Sequence, residues 1–270
     1  MNTLIVGCGN MGGAMLAGWL AGGMAADSLT VVDPLVAEVP EGVTLHRSLD
    51  ALSAQAQTFA TVLLAFKPQQ FAEAAPAIAP LANGLVMSVL AGIDLAALAR
   101  HFPAASGRVR VMPNLAAALG KSPIALAGDL SADRRAEVTA LFAPLGTPEW
   151  IGEDAFDLVT ALAGSGPAFV YRFIDALAAG AADLGLERAQ ADRLALAMVE
   201  GAAALAAASP HPPAELARRV ASPGGVTQRG IDVLDADAAL VRLITATLRA
   251  ARDRSAAMGR EHGGDPGPGR

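Results

Sequence analysis

Five short stretches carry residue types whose spacing could do chemistry. Gly7-Cys8-Gly9-Asn10-Met11-Gly12 sets three glycines at the spacing G-x-G-x-x-G. In such a turn the first glycine permits the tight bend, the second lets a diphosphate approach the backbone, and the third lets a helix pack close to a strand. Asp33 follows about twenty residues later, where a carboxylate accepts hydrogen bonds from an adenosine ribose. Lys67-Pro68 and Met112-Pro113-Asn114 each close an apolar run, and Lys67 and Lys121 are the only lysines in the chain. The Asn114 amide suits either a nicotinamide carboxamide or the cap of a turn. The fifth stretch is Ser222-Pro223-Gly224-Gly225-Val226-Thr227. Its glycines free backbone N–H groups, and a helix beginning there favours an anion by about 0.3–1 kcal/mol when exposed. A small carboxylate suits it, and Thr227 adds a hydroxyl, although taken alone the loop reads as a capped helix connector.

The elements that must position these residues are legible from periodicity. Asn2–Val6 is an apolar run read as a buried strand, and Gly13–Leu20 is read as a helix, so the glycine turn lies in the strand–turn–helix context that gives it meaning. Ser28–Val32, Phe59–Phe66, Leu85–Leu90, Arg108–Met112, Ser122–Ala127 and Thr147–Ile151 are read as further strands. Between them Ser48, Asp94 and Ser131 are placed to cap helices ending near Gln57, Arg100 and Phe142. A helix over about 69–82 carries Pro76 and Pro80. The alternation predicts an α/β domain, a doubly wound parallel sheet over residues 1–152. From 153 the pattern turns wholly helical, over about 153–163, 167–186, 189–208, 213–220, 226–235 and 237–258. Gly185 is read as ending the second of these. Residues 259–270 hold five glycines and two prolines and read as a disordered tail.

Composition narrows the functional classes. The 270-residue chain is 53% hydrophobic, 4% aromatic and 17% charged, with a net charge of −6, which argues against nucleic acid as a partner. Ala-rich helical faces point to burial in an oligomer. A single cysteine, Cys8, forms no internal disulfide. His46, His101, His211 and His262 are scattered, so no metal site is expected. The N-terminus lacks a basic leader, and no 18-residue stretch is free of both charge and breakers, so a cytoplasmic protein without a membrane span is expected.

Gly7-Cys8-Gly9-Asn10-Met11-Gly12, Ala65-Phe66-Lys67-Pro68-Gln69, Val109-Arg110-Val111-Met112-Pro113-Asn114, Ala163-Gly164-Ser165-Gly166-Pro167-Ala168 and Ser222-Pro223-Gly224-Gly225-Val226-Thr227 occur in an order and spacing that closely resembles pyrroline-5-carboxylate reductase over about residues 2–258. The resemblance implies a Rossmann domain followed by an all-helical dimerisation domain of the 6-phosphogluconate dehydrogenase C-terminal kind. It implies reduction of 1-pyrroline-5-carboxylate to L-proline by NADPH or NADH, the last step of proline synthesis, in a homodimer or a ring of dimers. It places Gly7, Gly9, Asn10, Met11, Gly12, Asp33, Ala65, Lys67, Pro68 and Asn114 on the cofactor, and Ser222, Gly224, Gly225, Val226 and Thr227 on the substrate. Thr227 takes an orienting and proton-relaying role. Each active site is implied to lie between a nucleotide domain and the helical domains of the dimer.

The chain departs from the family pattern at three places. Leu115-Ala116 stand where Thr-Pro is usual, Phe169 where Tyr is common, and Asp33-Pro34 where a polar or basic residue is frequent. The family usually accepts NADPH. The Asp33 carboxylate, with no Arg in Pro34-Leu35-Val36, leans towards NADH tolerance. Competing readings are a related imine or 3-hydroxyacid dehydrogenase and a non-catalytic nucleotide-binding regulator. The hydroxyacid group uses a lysine in its helical domain, and no lysine follows Lys121.

Overall fold

The computed structural model describes residues 2–54 and 58–262. It contains one eight-stranded sheet in the order β3-β2-β1-β4-β5-β6-β7-β8. The strands are β1 (Thr3–Val6), β2 (Leu29–Val32), β3 (Thr44–His46), β4 (Thr61–Leu64), β5 (Leu85–Ser88), β6 (Gly107–Met112), β7 (Ser122–Ala127) and β8 (Gly146–Trp150). The first six are parallel, and the order reverses between β1 and β4. That reversal is the switch point at which open α/β sheets bind ligands.

The central strands are buried throughout and mostly apolar because both faces are covered. Leu4 and Val6 of β1 and Val62 and Leu64 of β4 face one core with Phe71, Ile78 and Phe102. Ile5 and Leu63 face the other with Met15, Trp19 and Phe142. The helices of this unit that follow the strands are α1 (Asn10–Ala21), α2 (Asp50–Ala54), α3 (Phe71–Ile78), α4 (Leu95–His101) and α5 (Ala132–Phe142). Asp94 accepts from the Ala97 N–H at 2.6 Å and Ser131 from the Arg134 N–H at 3.4 Å, the caps expected of both. Ser48 does not cap α2. Its hydroxyl donates to the Asp50 carboxylate, and the expected end of that helix at Gln57 lies outside the described residues.

The sheet departs from the parallel expectation at β7, which runs antiparallel to β6. Only residues 113–121 join them, as a 3-10 turn over Leu115–Leu119 with short flanks. A parallel crossover needs a dozen or more residues, so the chain reverses. β8 then pairs parallel with β7. β3, over Thr44–His46, is not among the strands read from the sequence.

Two compact units emerge. One comprises the chain up to Gly164 together with the last helix from Ala251, and the other is Ser165–Ala250. The first unit therefore runs on to Gly164, past the sequence boundary at 152. The reason is local: α6 (Phe156–Val159) and the wide helical turn Thr160–Gly164 stay with the sheet. Phe156 packs with Met112, Ala125 and Ala127, and Glu153 pairs with Arg110 of β6 at 3.1 Å.

The second unit holds α7 (Gly166–Asp183), α8 (Arg188–Ala208), α9 (Pro213–Val220), α10 (Val226–Asp235) and the first half of α11 (Ala239–His262). Gly185, at φ +107°, follows the end of α7 as expected of a glycine helix stop. Small residues Ala178, Ala191 and Ala195 bring α7 and α8 together. α11 continues through residues 259–262, so the tail expected from 259 is helical there, and 263–270 lie outside the described residues. Its last turns belong to the first unit, where Ser255 donates to Asp157 at 2.7 Å.

Candidate functional site

At the switch point β1 delivers its last residue, Val6, into Gly7, whose φ of +89° is open to glycine at little cost. Gly7 N–H donates to the Val32 carbonyl at 2.9 Å, which seats the turn against β2. A Cβ on Gly7 would lie 2.7 Å from the Ala65 carbonyl oxygen, and a Cβ on Gly12 would collide with the Gly7 carbonyl. The two glycines thus let β1, β4 and α1 converge. Gly9 differs: a Cβ there meets nothing within 4 Å. It is the N-cap of α1, with no side chain capping the helix, and Gly13 is the first residue to donate back to it, at 2.8 Å. The N–H groups of Asn10, Met11 and Gly12 are left for an external acceptor.

These groups border a cavity of about 860 Å³ at the carboxyl ends of β1, β2 and β4. Gly7, Gly9, Asn10, Asp33, Ala65 and Lys67 line it. Met11 turns instead onto the core beside α1. Pro68 opens the 3-10 turn after β4, with Lys67 as its N-cap. Arg47, Ser48, Leu49, Gln70 and Glu73 also line the cavity and were not read from sequence. Arg47 and Ser48 follow a three-residue strand too short to carry a periodic signal. The cavity's size, its free amides and the open space over Gly9 fit a dinucleotide with its diphosphate on the start of α1.

Asp33 lines the cavity and also binds the backbone around it. Its Oδ2 accepts from the Cys8 N–H at 2.7 Å, while its Oδ1 accepts from Leu35 N–H at 2.7 Å and Val36 N–H at 3.0 Å. Partial burial pushes its pKa up, but these three N–H donors and the nearby Arg47 outweigh it and hold the carboxyl below its ordinary range. Asp33 therefore ties the glycine turn to the loop after β2. The Cys8 thiol is buried, and that burial, with the Asp33 charge beside it, raises its pKa, so it is not a poised nucleophile.

Asn114 binds the backbone on both sides of its amide. Its Oδ1 caps the turn after β6 by accepting from Ala116 N–H at 2.9 Å, and its Nδ2 donates to the Ala163 carbonyl at 3.0 Å. Only 6% of it is exposed, and it does not line the cavity. These bonds match the capping alternative.

In the second unit, Ser222-Pro223-Gly224-Gly225 forms a tight turn closed by Gly225 N–H donating to the Ser222 carbonyl at 2.9 Å. Pro223 precedes Gly224, whose φ is +71°. Gly225 is the N-cap of α10, and no side chain caps it. Val226, Thr227 and Gln228 therefore present N–H groups without helical partners. Ser222, Val226 and Thr227 are exposed. Among the described residues no group of three His, Cys, Asp or Glu is placed to hold a metal, and no helix is long and apolar enough to cross a membrane.

The sheet and its amide-lined turn define a Rossmann-type dinucleotide-binding protein with an appended helical unit. Comparison with known proteins places it further. Residues 153–258 match the family model described as pyrroline-5-carboxylate reductase dimerisation, and residues 3–92 match that described as NADP oxidoreductase, coenzyme F420-dependent. The pyrroline-5-carboxylate reductase of Pseudomonas aeruginosa is 34% identical over 96% of this chain and 97% of its own. A pyrroline-5-carboxylate reductase structure from Coxiella burnetii superposes with a TM-score of 0.87 at 27% identity, covering 95% of this chain and 98% of the other. The Plasmodium falciparum pyrroline carboxylate reductase with NADP bound gives 0.80 at 25% identity, over 96% and 98%. The chain belongs to the pyrroline-5-carboxylate reductase family.

Proposed function

We propose that this protein reduces 1-pyrroline-5-carboxylate to L-proline with NADPH or NADH. The observation that carries the reading is the match, over nearly the full length of both chains, to a reductase of that name. The unblocked glycine turn and the uncapped glycine loop before α10 support it.

The nicotinamide cofactor supplies a hydride when bound. The chain's own residues hold and orient. The N–H groups of Asn10, Met11 and Gly12 meet the diphosphate, and Gly9 leaves room for it. The turn 222–225 and the free N–H groups of Val226 and Thr227 take the substrate carboxylate. The Thr227 hydroxyl orients the ring and relays a proton. A protonated imine carbon is already electrophilic, so the work left to the protein is proximity and alignment. This suits a loop without His, Asp or Lys.

Association into a homodimer, or a ring of such dimers, belongs to the same reading. It is supported by the match to a dimerisation model and by exposed apolar side chains on the second unit, among them Tyr171, Leu194, Leu205 and Leu243. A cytoplasmic location fits the single buried cysteine.

The test is direct. Purified protein with 1-pyrroline-5-carboxylate should consume NADPH or NADH, followed by loss of nicotinamide absorbance in separate cuvettes. No loss with either cofactor would sink the reading.

A further inference from the structure

α10 ends at Asp235 and α11 begins at Ala239, and neither glycine nor proline separates them. Ala236 (φ −51°, ψ 121°) and Asp237 (φ 50°, ψ 30°) take angles close to those of a type II turn. Ala238 follows at φ 54°. Among the described residues, these two, Asp237 and Ala238, are the non-glycine positions with positive φ. Left-handed backbone costs an L-residue about five- to thirtyfold in its local equilibrium. Asp tolerates it better than Ala, and alanine is the strongest helix former. The residues of this corner therefore favour the alternative it forgoes, a single unbroken helix from Val226 into α11.

The corner matters because of what α10 carries. α10 opens on Gly225, with the exposed Thr227 in its first turn. None of its residues is buried, so packing within the chain holds its direction weakly. The backbone at 236–238 sets that direction instead. In an unbroken helix Val226 would stand about 20 Å along the axis from Ala239, at roughly 1.5 Å per residue, and the glycine loop would move with it. Resting on the reading of residues 222–227 as the substrate-carboxylate loop, we propose that Asp237 and Ala238 are positioning residues for the reduction. Their left-handed corner aims α10 and so sets where that loop and the Thr227 hydroxyl stand. Backbone strain of this kind clusters where function needs a geometry that local preference opposes.

Steady-state kinetics with 1-pyrroline-5-carboxylate, nucleotide titration and thermal melting of the full chain test this together. Ala238→Gly removes the penalty on the left-handed conformation. Its melting temperature should rise by about 1–4 °C, with KM for the imine no higher than in wild type. Ala238→Val puts a β-branched residue at positive φ and should raise that KM at least about threefold while nucleotide affinity stays within about twofold. Should that variant not fold, Asp237→Ala pushes the same way more gently and should raise KM about twofold or more. Asp237→Asn keeps a residue that tolerates the conformation, drops the charge, and should match wild type. A purely structural corner would shift melting temperatures and leave KM alone. A melting temperature at or below wild type in Ala238→Gly would overturn the strain. Unchanged KM in Ala238→Val and Asp237→Ala, or an equal rise in Asp237→Asn and Asp237→Ala, would overturn the positioning role. Wild type that does not turn over the imine would overturn the loop reading and the positioning role with it, whatever the order of melting.

Discussion

The Asn114 amide donates to the Ala163 carbonyl at 3.0 Å, joining the end of β6 to the wide helical turn that closes the first unit. The same side chain caps the turn after β6, and the Asn114 N–H is held by Ser122 Oγ at 2.9 Å. Removing a fully engaged, buried amide strands two backbone groups. Asn114→Ala should therefore destabilise the protein by about 2–4 kcal/mol, read from urea unfolding. A cost below about 0.5 kcal/mol would show that the joint carries no weight.

Arg110 and Glu153 should respond unequally. The guanidinium is buried, lies 3.9 Å from the Phe156 ring centroid and pairs with Glu153 at 3.1 Å, while Glu153 is partly solvent-exposed. Glu153 also accepts from the N–H of Leu95, at the first turn of α4. Glu153→Ala leaves a buried cation unpaired and should cost about 2–3 kcal/mol, the usual loss discounted for exposure. Arg110→Met removes the charge and keeps the apolar contact, so thermal melting should show the milder loss. The reverse order would contradict this account.

Two glycine substitutions separate fold from binding. A Cβ on Gly9 meets nothing, so Gly9→Ala should keep the wild-type stability within about 1 kcal/mol. The same Cβ stands where a diphosphate must approach, so nucleotide affinity should fall by about tenfold or more. A Cβ on Gly12 collides with the Gly7 carbonyl, so Gly12→Ala should lose both stability and affinity. Undiminished nucleotide binding by Gly9→Ala would refute the diphosphate position.

Asp33 gives a pH signature. Its folded pKa lies below the ordinary carboxylate value because three N–H groups and Arg47 outweigh its partial burial. A lowered folded value stabilises above the unfolded pKa of about 3.9 and is lost as pH falls through the folded value. Asp33→Asn should therefore be less stable than wild type at neutral pH, with the gap closing in acid. Urea midpoints across that range would expose the idea as wrong if the gap stayed constant.

Thr227 stands second in α10, exposed and next to the uncapped glycine turn. With an orienting role, Thr227→Ala should lower kcat by about ten- to a hundredfold while leaving nucleotide affinity unchanged. Thr227→Ser should recover part of the rate. Wild-type turnover in the alanine variant would dismiss the role.

Much of this was legible without coordinates. The glycine turn, its flanking strand and helix, the caps Asp94 and Ser131 and the helical second half all follow from neighbours within a few residues. Asn114 was readable only as one of two alternatives, because its partner Ala163 is distant in sequence. The late division at Gly164 was hidden for the same reason: helical periodicity begins at 153, but Glu153 and Phe156 belong to β6 through contacts that periodicity does not encode.

The sequence by itself therefore determined every strand but β3 and the main helices, that a glycine turn opens the chain, and that a second glycine loop lies far downstream. Turn chemistry and hydrophobic period are local properties of the chain. Only the tertiary structure decided that Asp33 spends its carboxylate on the backbone, that Arg47 stands beside it, and that β7 reverses. Those outcomes depend on strand register and on the length of a connection measured against the sheet, and both exist only once the strands have paired.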